Sequence, residues 1–508
     1  MYAAAAVAAA LVLAGRAHVA AQSGPIPLQL TTARAQAFVD AADRHLDYLP
    51  GEVLVKFKPG TAPAQQQAAL TTLRSQPSRD DLRWVGDVAV LVDATQPDSQ
   101  MLAAQLSAQP EVLYAEPNYL YHVTPRPESA ERAITSDVRT NLIPSDPDYS
   151  LLQWNFSALR MDAAWNINPG GDPNLIVAIV DTGITTANQT FTFPLFTGTS
   201  IQNVSLPFAV SPDLSASRLV GPRDFVFAAP GGAVVDMDGH ATHVGSTVAE
   251  NTNDSVAVAG MAYRVKLMPV KVCLGYWDLM IQRAQAGITG FLPTSAGSCP
   301  DDAIASGIRY AADNGARVIN LSLGGPGAAI TLHDALTYAV GKGAFVSIAM
   351  GNEFENGNPT IYPAAYAQDI DGVMSVAAVG RSLNHAFYSS SGSYCEIAAP
   401  GGDSLDAGTS GEIWQVTLSA TTSSPLLIVP RFDLYAERAF QGTSMAAPHV
   451  AGLAALLMSQ MGAAATPAVV EAIIKKTALD RGPVGRDDQF GYGLIQPRAA
   501  LLGFGIKK

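Results

Sequence analysis

Short apolar runs separated by stretches of helical period organise most of this chain. The runs at 176–180, 266–272, 316–323, 344–350 and 374–379 are mainly apolar, as strands buried on both faces are. Between several of them lie stretches such as 301–314, where Ile304, Ile308 and Ala311 share one helical face. This alternation predicts an α/β fold, a mainly parallel sheet sandwiched by helices. Residues 403–440 interrupt it and are expected to form a surface excursion.

A different pattern precedes this unit. Val53, Val55 and Phe57 alternate with Leu54, Lys56 and Lys58, a strand-like period that Pro59-Gly60 ends. Residues 63–76 read as helix, 83–93 as strand, 98–108 as helix, and 111–123 as strand broken by Pro117. The order describes a small α+β domain over 48–123. Residues 22–47 carry no clear pattern and stay unassigned. Residues 124–145 are rich in Pro, Ser, Thr, Arg and Glu and read as a linker, which leaves 146–508 as the main domain.

The N-terminus opens with an apolar run from Ala3 to Ala14 and reaches Val19-Ala20-Ala21 before Gln22. That predicts a secretory signal over 1–21, although Tyr2 stands where Lys or Arg is usual. The run is too short to span a bilayer. The formal net charge of −13, with 15% charged residues, argues against nucleic acid or an anionic membrane as partner. Of the three cysteines at least one is unpaired in a monomer. Cys273 and Cys299 bracket a loop-like stretch suited to a disulfide after export, but sequence leaves their separation open.

Five segments carry candidate chemistry. Ser444, in Gly442-Thr443-Ser444-Met445-Ala446-Ala447-Pro448-His449, opens an apolar helix, where a serine either caps the helix or acts as a nucleophile beside its positive end. Pro448 is expected near the first turn, since a helix interior would be weakened by about 3 kcal/mol. Asp181 ends the apolar run Ile176-Val177-Ala178-Ile179-Val180, at the strand end where α/β chemistry gathers. His240 and His243 stand three apart without a third metal ligand, which favours one as a base and the other as packed. Asn352 follows the run 344–350 and reads as a turn residue or an oxyanion donor. Gly324-Gly325-Pro326-Gly327 follows 316–323 but lacks the pattern of a dinucleotide loop.

Read together, the order Asp, His, Ser is that of subtilisin, one of three chain orders in which this triad is built. Val180-Asp181-Thr182-Gly183, Gly239-His240-Ala241-Thr242-His243-Val244 and Gly442-Thr443-Ser444-Met445-Ala446-Ala447-Pro448-His449 closely resemble the three active-site blocks of the subtilases, peptidase family S8. Gly351-Asn352 resembles the family's oxyanion block, Ser322-Leu323-Gly324-Gly325 its substrate strand, and Gly491-Tyr492-Gly493-Leu494-Ile495 its closing pattern. Gly51-Glu52-Val53-Leu54-Val55-Lys56-Phe57 and Ala115-Glu116-Pro117-Asn118-Tyr119 resemble its inhibitory propeptide.

The resemblance implies a secreted serine endopeptidase of subtilisin-like fold, made as a zymogen behind a ferredoxin-like propeptide and cut within 120–146. Asp181, His240 and Ser444 would be catalytic and Asn352 the oxyanion donor. Ser322, Leu323, Gly324 and Gly325 would bind substrate. Ile361 would stand at the floor of the specificity pocket, where relatives often have Gly, and implies a shallower pocket. The partners would be protein or peptide substrates and the chain's own propeptide, with a monomer expected. No cofactor is needed for the chemistry. Asn253 and Asp254 lie where relatives carry a calcium loop, with Ala257 in place of the usual Gly, so structural calcium is an open expectation. Ala241 and Gly245-Ser246 also depart from the family pattern but stay small. A catalytically silent peptide binder on the same scaffold is the alternative, and all four of Asp181, His240, Ser444 and Asn352 are present against it.

Overall fold

The computed structural model describes residues 30–123, 130–134, 144–227, 234–292, 297–424 and 429–503. The predicted signal segment 1–21 lies outside the described residues. In chain order, the N-terminal module contains α1 (Thr32–Arg44), β1 (Tyr48–Phe57), α2 (Pro63–Leu70), β2 (Arg83–Val85), β3 (Val88–Val92), α3 (Ser99–Ser107) and β4 (Val112–His122). A short strand, β5 (Glu131–Arg132), leads to the main unit, which begins with β6 (Ile176–Asp181), β7 (Gln189–Phe196), β8 (Ile201–Phe208), β9 (Arg223–Asp224) and α4 (His240–Ala249). Then come β10 (Lys266–Lys271), α5 (Tyr276–Gln285), β11 (Ser298–Pro300), α6 (Asp301–Asp313), β12 (Ala316–Leu321), α7 (Ile330–Gly341) and β13 (Phe345–Ala349). The last elements used below are β14 (Val373–Val379), β15 (Ile397–Pro400), β16 (Ile413–Leu418), β17 (Tyr435–Phe440) and α8 (Thr443–Met461).

All five apolar runs of the main unit lie in one seven-stranded parallel sheet, ordered β15-β14-β13-β12-β6-β10-β9. Their side chains are buried on both faces, as the lack of alternation requires. α8 packs on this sheet and is buried from Thr443 to Met458, so it has no polar stripe. Pro448 is the sixth residue of α8 rather than part of its first turn. Its missing N–H leaves the Ser444 carbonyl without its helical donor, and the Ser322 hydroxyl takes that place at 2.8 Å.

Residues 403–440 are not a surface excursion. β16 and β17 form an antiparallel hairpin, almost wholly buried against α4, and β5 pairs with β17 as a third strand. Polar Gln415 and Thr417 disguise β16 in the sequence. They are buried because Thr417 donates to the Gly239 carbonyl and Gln415 meets Gln153. β5 also shows that 124–145 is not wholly a linker, since 131–132 belong to this sheet.

The N-terminal module has the strand order β4-β1-β3-β2, all antiparallel, which is the ferredoxin-like arrangement. The strand expected over 83–93 is two strands that turn at Gly86, where φ is 60°. Val53, Val55, Leu91, Leu102 and Leu106 form the module's own core, while Leu54, Val88 and Val90 join the core of the main unit. The unassigned N-terminal segment contains α1, capped by Thr31, which rests on α5.

Two helices of the main unit receive their N-terminal partners from the module. The Glu116 carboxylate accepts the N–H groups of Ile330 and Thr331, both at 2.9 Å, and the Thr331 hydroxyl at 2.6 Å. Ala329, the residue at the α7 cap, has no side chain able to do this. Asn118 accepts the Asp302 N–H of α6 at 3.2 Å and donates to both Glu52 and Asp302 at 2.9 Å. Arg34 donates to Asp302 at 2.8 and 3.0 Å, and Arg83 bonds the same carboxylate. These are charge-assisted bonds to fully buried carboxylates, so they hold the module in one register. Replacing Glu116 with Ala removes such a cap. Amide exchange in β4 is expected to quicken by about three- to thirtyfold, and an unchanged rate measured by mass spectrometry would rule out the cap as a docking contact.

Candidate active site

β6 places Asp181 at the carboxyl end of the sheet, and α4 begins with His240. The carboxylate oxygens of Asp181 lie 2.9 and 3.0 Å from His240 Nδ1, and both side chains are buried. Nδ1 therefore carries the proton that Asp181 accepts. His240 Nε2 has no hydrogen-bond partner.

Three side chains that sequence reading did not single out tie these elements together. Thr182 Oγ1 accepts the Ala241 N–H at 3.0 Å and donates to Asp236 at 3.2 Å. Asp236 also accepts the N–H groups of Asp238 and Gly239 at 2.9 and 2.8 Å and both donors of Thr242. Burial and then the charge of Asp238 push the Asp236 carboxyl above its usual range, against these donors. Lys271, fully buried, donates to the Thr182 carbonyl at 2.7 Å and to Asp278 at 3.1 Å. Asp236 stands beside the quoted His240 block, but only its burial reveals the role. His243 is the packed histidine. It stacks on Phe440 at 4.2 Å, and its Nε2 meets the carbonyls of Ile413 and Arg438. Burial and then the nearby His240 hold it well below the usual imidazole range.

Ser444 is the second residue of α8, and Gly442 takes the cap position with no side-chain capping bond. The Ser444 hydroxyl donates to the Ser322 carbonyl at 3.2 Å. Asn352 Oδ1 accepts the N–H and the hydroxyl of Thr443, both at 2.9 Å, while the Thr443 hydroxyl accepts the Gly351 N–H at 3.1 Å. This clasp fixes which face of the amide is which: Asn352 Nδ2 is buried, without a partner, beside Gly442.

The Ser322–Gly325 strand forms one wall of a cleft. Gly325 pairs with Tyr362 through bonds of 2.9 and 2.8 Å. A Cβ on Gly324 or on Gly351 would approach Ile361 to 2.6 or 2.7 Å, so Ile361 fills the space between these glycines. The cleft holds the end of β4. The His122 N–H donates to the Gly324 carbonyl at 2.9 Å, and the Gly324 N–H to the His122 carbonyl at 3.1 Å. On the other side, His122, Tyr121 and Leu120 pair with Ser298, Cys299 and Pro300 of β11. Tyr121 is fully buried and donates to the Gly327 carbonyl at 2.7 Å. Cys273 and Cys299 form a disulfide, and Cys395 is free and buried.

A second polar group lies at the far end of α4. Asp146 accepts the N–H groups of Asn253 and Asp254 at 3.0 and 3.2 Å. Asp213 is buried with no donor on either oxygen, and Glu250 has one oxygen in the same condition. Burial first, and then the charges of Asp254 and Asp146, push the Asp213 carboxyl well above its usual range. Burial and Asp213 raise Glu250 well above the usual range. Among the described residues no three His, Cys, Asp or Glu side chains converge as a ready metal site, so any cation here must also draw on other oxygens. Asn253 and Asp254 were legible in the sequence. Asp146 and Asp213 lie far from them along the chain and were not.

Comparisons with known proteins agree with this architecture. The subtilase family model matches residues 172–493, and the model of the fervidolysin N-terminal prodomain matches residues 34–118. Thermitase of Thermoactinomyces vulgaris is 32% identical over 335 residues, covering 66% of this chain and 91% of thermitase. A protein of Xanthomonas campestris pv. campestris named extracellular protease is 31% identical over 426 residues, covering 80% of this chain but only 61% of that protein. The crystal structure of fervidolysin from Fervidobacterium pennivorans aligns with a TM-score of 0.60 at 22% identity, covering 90% of this chain and 61% of fervidolysin; at that identity it speaks for the fold alone. The chain belongs to the subtilase family of serine endopeptidases and carries a fervidolysin-type prodomain.

Proposed function

We propose that Asp181, His240 and Ser444 form the catalytic triad of a secreted endopeptidase and that β4 blocks its cleft until the prodomain is removed. The observation that carries this is the buried Asp181–His240 Nδ1 contact, which leaves Nε2 without a partner, while β4 is already paired with Gly324 as a substrate would be. Ser444 turns its hydroxyl from the Ser322 carbonyl to His240 Nε2 and attacks the scissile carbonyl. His240 takes the hydroxyl proton and passes it to the leaving amine, and Asp181 stabilises the imidazolium. Water then hydrolyses the acyl-enzyme by the same proton path. Asn352 Nδ2 and the Ser444 N–H hold the oxyanion. Loss of one such donor lowers turnover by about 10²–10³, a magnitude known from subtilisin rather than derived from this geometry.

Substrates add a strand to Ser322–Gly325, as β4 does. Ile361 makes the pocket between Gly324 and Gly351 shallow, which favours small or medium side chains before the cleaved bond. Export is supported by the apolar N-terminus, by the printed name of the Xanthomonas relative and by the disulfide. β4 is strand-paired as far as His122, and Ala130 accepts the Ala439 N–H at 3.1 Å. The maturing cut is therefore assigned between Val123 and Ala130, narrower than the 120–146 window read from sequence.

Structural calcium is also inferred. Asp213 would hold it with Asp254, Asn253 and backbone oxygens, and the fit rests on the two donorless, buried oxygens of Asp213. The ion would neutralise repelling carboxylates and take no part in the reaction.

Three outcomes follow. The parent chain is expected to shorten to a start within 124–130 and to digest casein, while Ser444→Ala does neither; a Ser444→Ala chain that still digests casein ends the triad reading. Ile361→Gly is expected to shift a peptide library toward Phe and Tyr before the cleaved bond, and an unmoved profile would remove Ile361 from the pocket. Chelator is expected to lower the melting temperature by several degrees, with calcium restoring it. A melt indifferent to chelator excludes the ion.

A further inference from the structure

We propose that the Cys273–Cys299 disulfide is the brace of the docking edge, so that prodomain retention and the binding of extended substrates both depend on it. The inference rests on the reading of β4 as a substrate-like strand.

The loop closed by this disulfide contains two separate contacts with the prodomain. α5 lies under α1, where Arg283 meets Asp43 at 3.5 Å and the Leu30 N–H donates to Gln282 at 3.4 Å. β11 pairs with β4, with Cys299 itself opposite Tyr121. The His122 ring Nδ1 also lies 3.3 Å from the Gly297 carbonyl in the same loop.

β11 has only three residues, too few to hold a strand conformation unaided. Its other edge is fixed by a single bridge, the two bonds between Leu274 and Ser298 at 2.9 and 2.8 Å. The disulfide adds the covalent tie, and its other end is rigid. Cys273 stands two residues after the end of β10, and the N–H groups of Val272 and Cys273 donate to the Asp181 carbonyl at 2.8 and 3.2 Å. The bridge thus fastens a short edge strand to the end of the central sheet, next to the reacting residues. The opposite wall of the cleft needs no such brace, because Ser322 is tied to the Ser444 carbonyl and Gly325 to Tyr362. Breaking the disulfide therefore loosens one wall only. A ligand long enough to reach β11 loses affinity, whereas one that touches only Ser322–Gly325 does not.

Two measurements test this, one on the full chain and one on the matured protease. In a Ser444→Ala background, Cys273→Ala/Cys299→Ala is expected to speed amide exchange of Tyr119–Val123 and of α1 by at least about tenfold, with β13 and β14 unchanged. In the active, matured chain the same pair of substitutions is expected to raise KM for a pentapeptide anilide by about tenfold while kcat and KM for a single-residue ester stay within about twofold. Unchanged exchange in Tyr119–Val123, or equal acceleration throughout β13 and β14, overturns the proposal. If the double variant does not fold, the folded Ser444→Ala chain is reduced with a phosphine until its mass gains two hydrogens, and the same exchange pattern is read. Exchange reports docking whether or not the prodomain inhibits, so a prodomain that docks through the brace without inhibiting is distinguished from a brace that does not exist.

Discussion

A wholly buried carboxylate held against one nitrogen of a histidine is the constraint on which the rest of this structure depends. Asp181 and His240 come from different elements, and nothing local brings them together. The Thr182 hydroxyl does so by bonding both the first turn of α4 and Asp236, while Asp236 gathers the backbone of the turn that precedes His240. Lys271 holds the Thr182 carbonyl from below. β16 closes the other side, with Thr417 bonded to the Gly239 carbonyl and His243 anchoring α4 to both strands of the hairpin. Each tie is a buried polar group that finds a partner in the site's framework, the condition under which such groups specify a unique geometry rather than weaken it.

This explains what the sequence disclosed and what it concealed. The five apolar runs needed no context: strands buried on both faces have a composition of their own, and all five entered the sheet. Asp181, His240, Ser444 and Asn352 were legible because each sits at an element's end within a recognisable block. α1 was not legible, because the residues it buries make sense only against α5. β16 was hidden because Gln415 and Thr417 look solvent-facing until their partners are known. Pro448 was expected in the first turn because a sequence cannot announce that Ser322 will take over the carbonyl that a proline frees. Asp213 and Asp146 gain their meaning from proximity to Asp254, a fact of the fold and not of the chain.

The prodomain adds a further layer to the same logic. Its sheet contributes β4 to two edges of the main unit at once, and its acidic and amide side chains complete the N-termini of α6 and α7. Those helices flank the strand that carries Ser322, since α6 precedes β12 and α7 follows Gly325 in the chain. A folding main unit would otherwise leave the first N–H groups of α7 to solvent and the Asp302 carboxylate without Arg34, Arg83 and Asn118. The module therefore supplies stability around Ser322, as well as pairing its last strand with Gly324 and β11.

On the proposed reading, inhibition and recognition share one surface. β4 makes backbone bonds to Gly324 and β11 that any extended peptide can copy, so main-chain pairing alone cannot distinguish the prodomain from a substrate. What distinguishes them lies away from the cleft: Glu116 on α7, Asn118 and Arg34 on Asp302, and α1 on α5. These contacts make the prodomain's attachment multivalent, so loss of the strand pairing at one moment is followed by its return while the remaining contacts hold. A severed prodomain keeps all of them, and its departure requires that they fail together. An extended substrate bound as proposed lacks these outlying contacts, so its attachment would not be multivalent in this way.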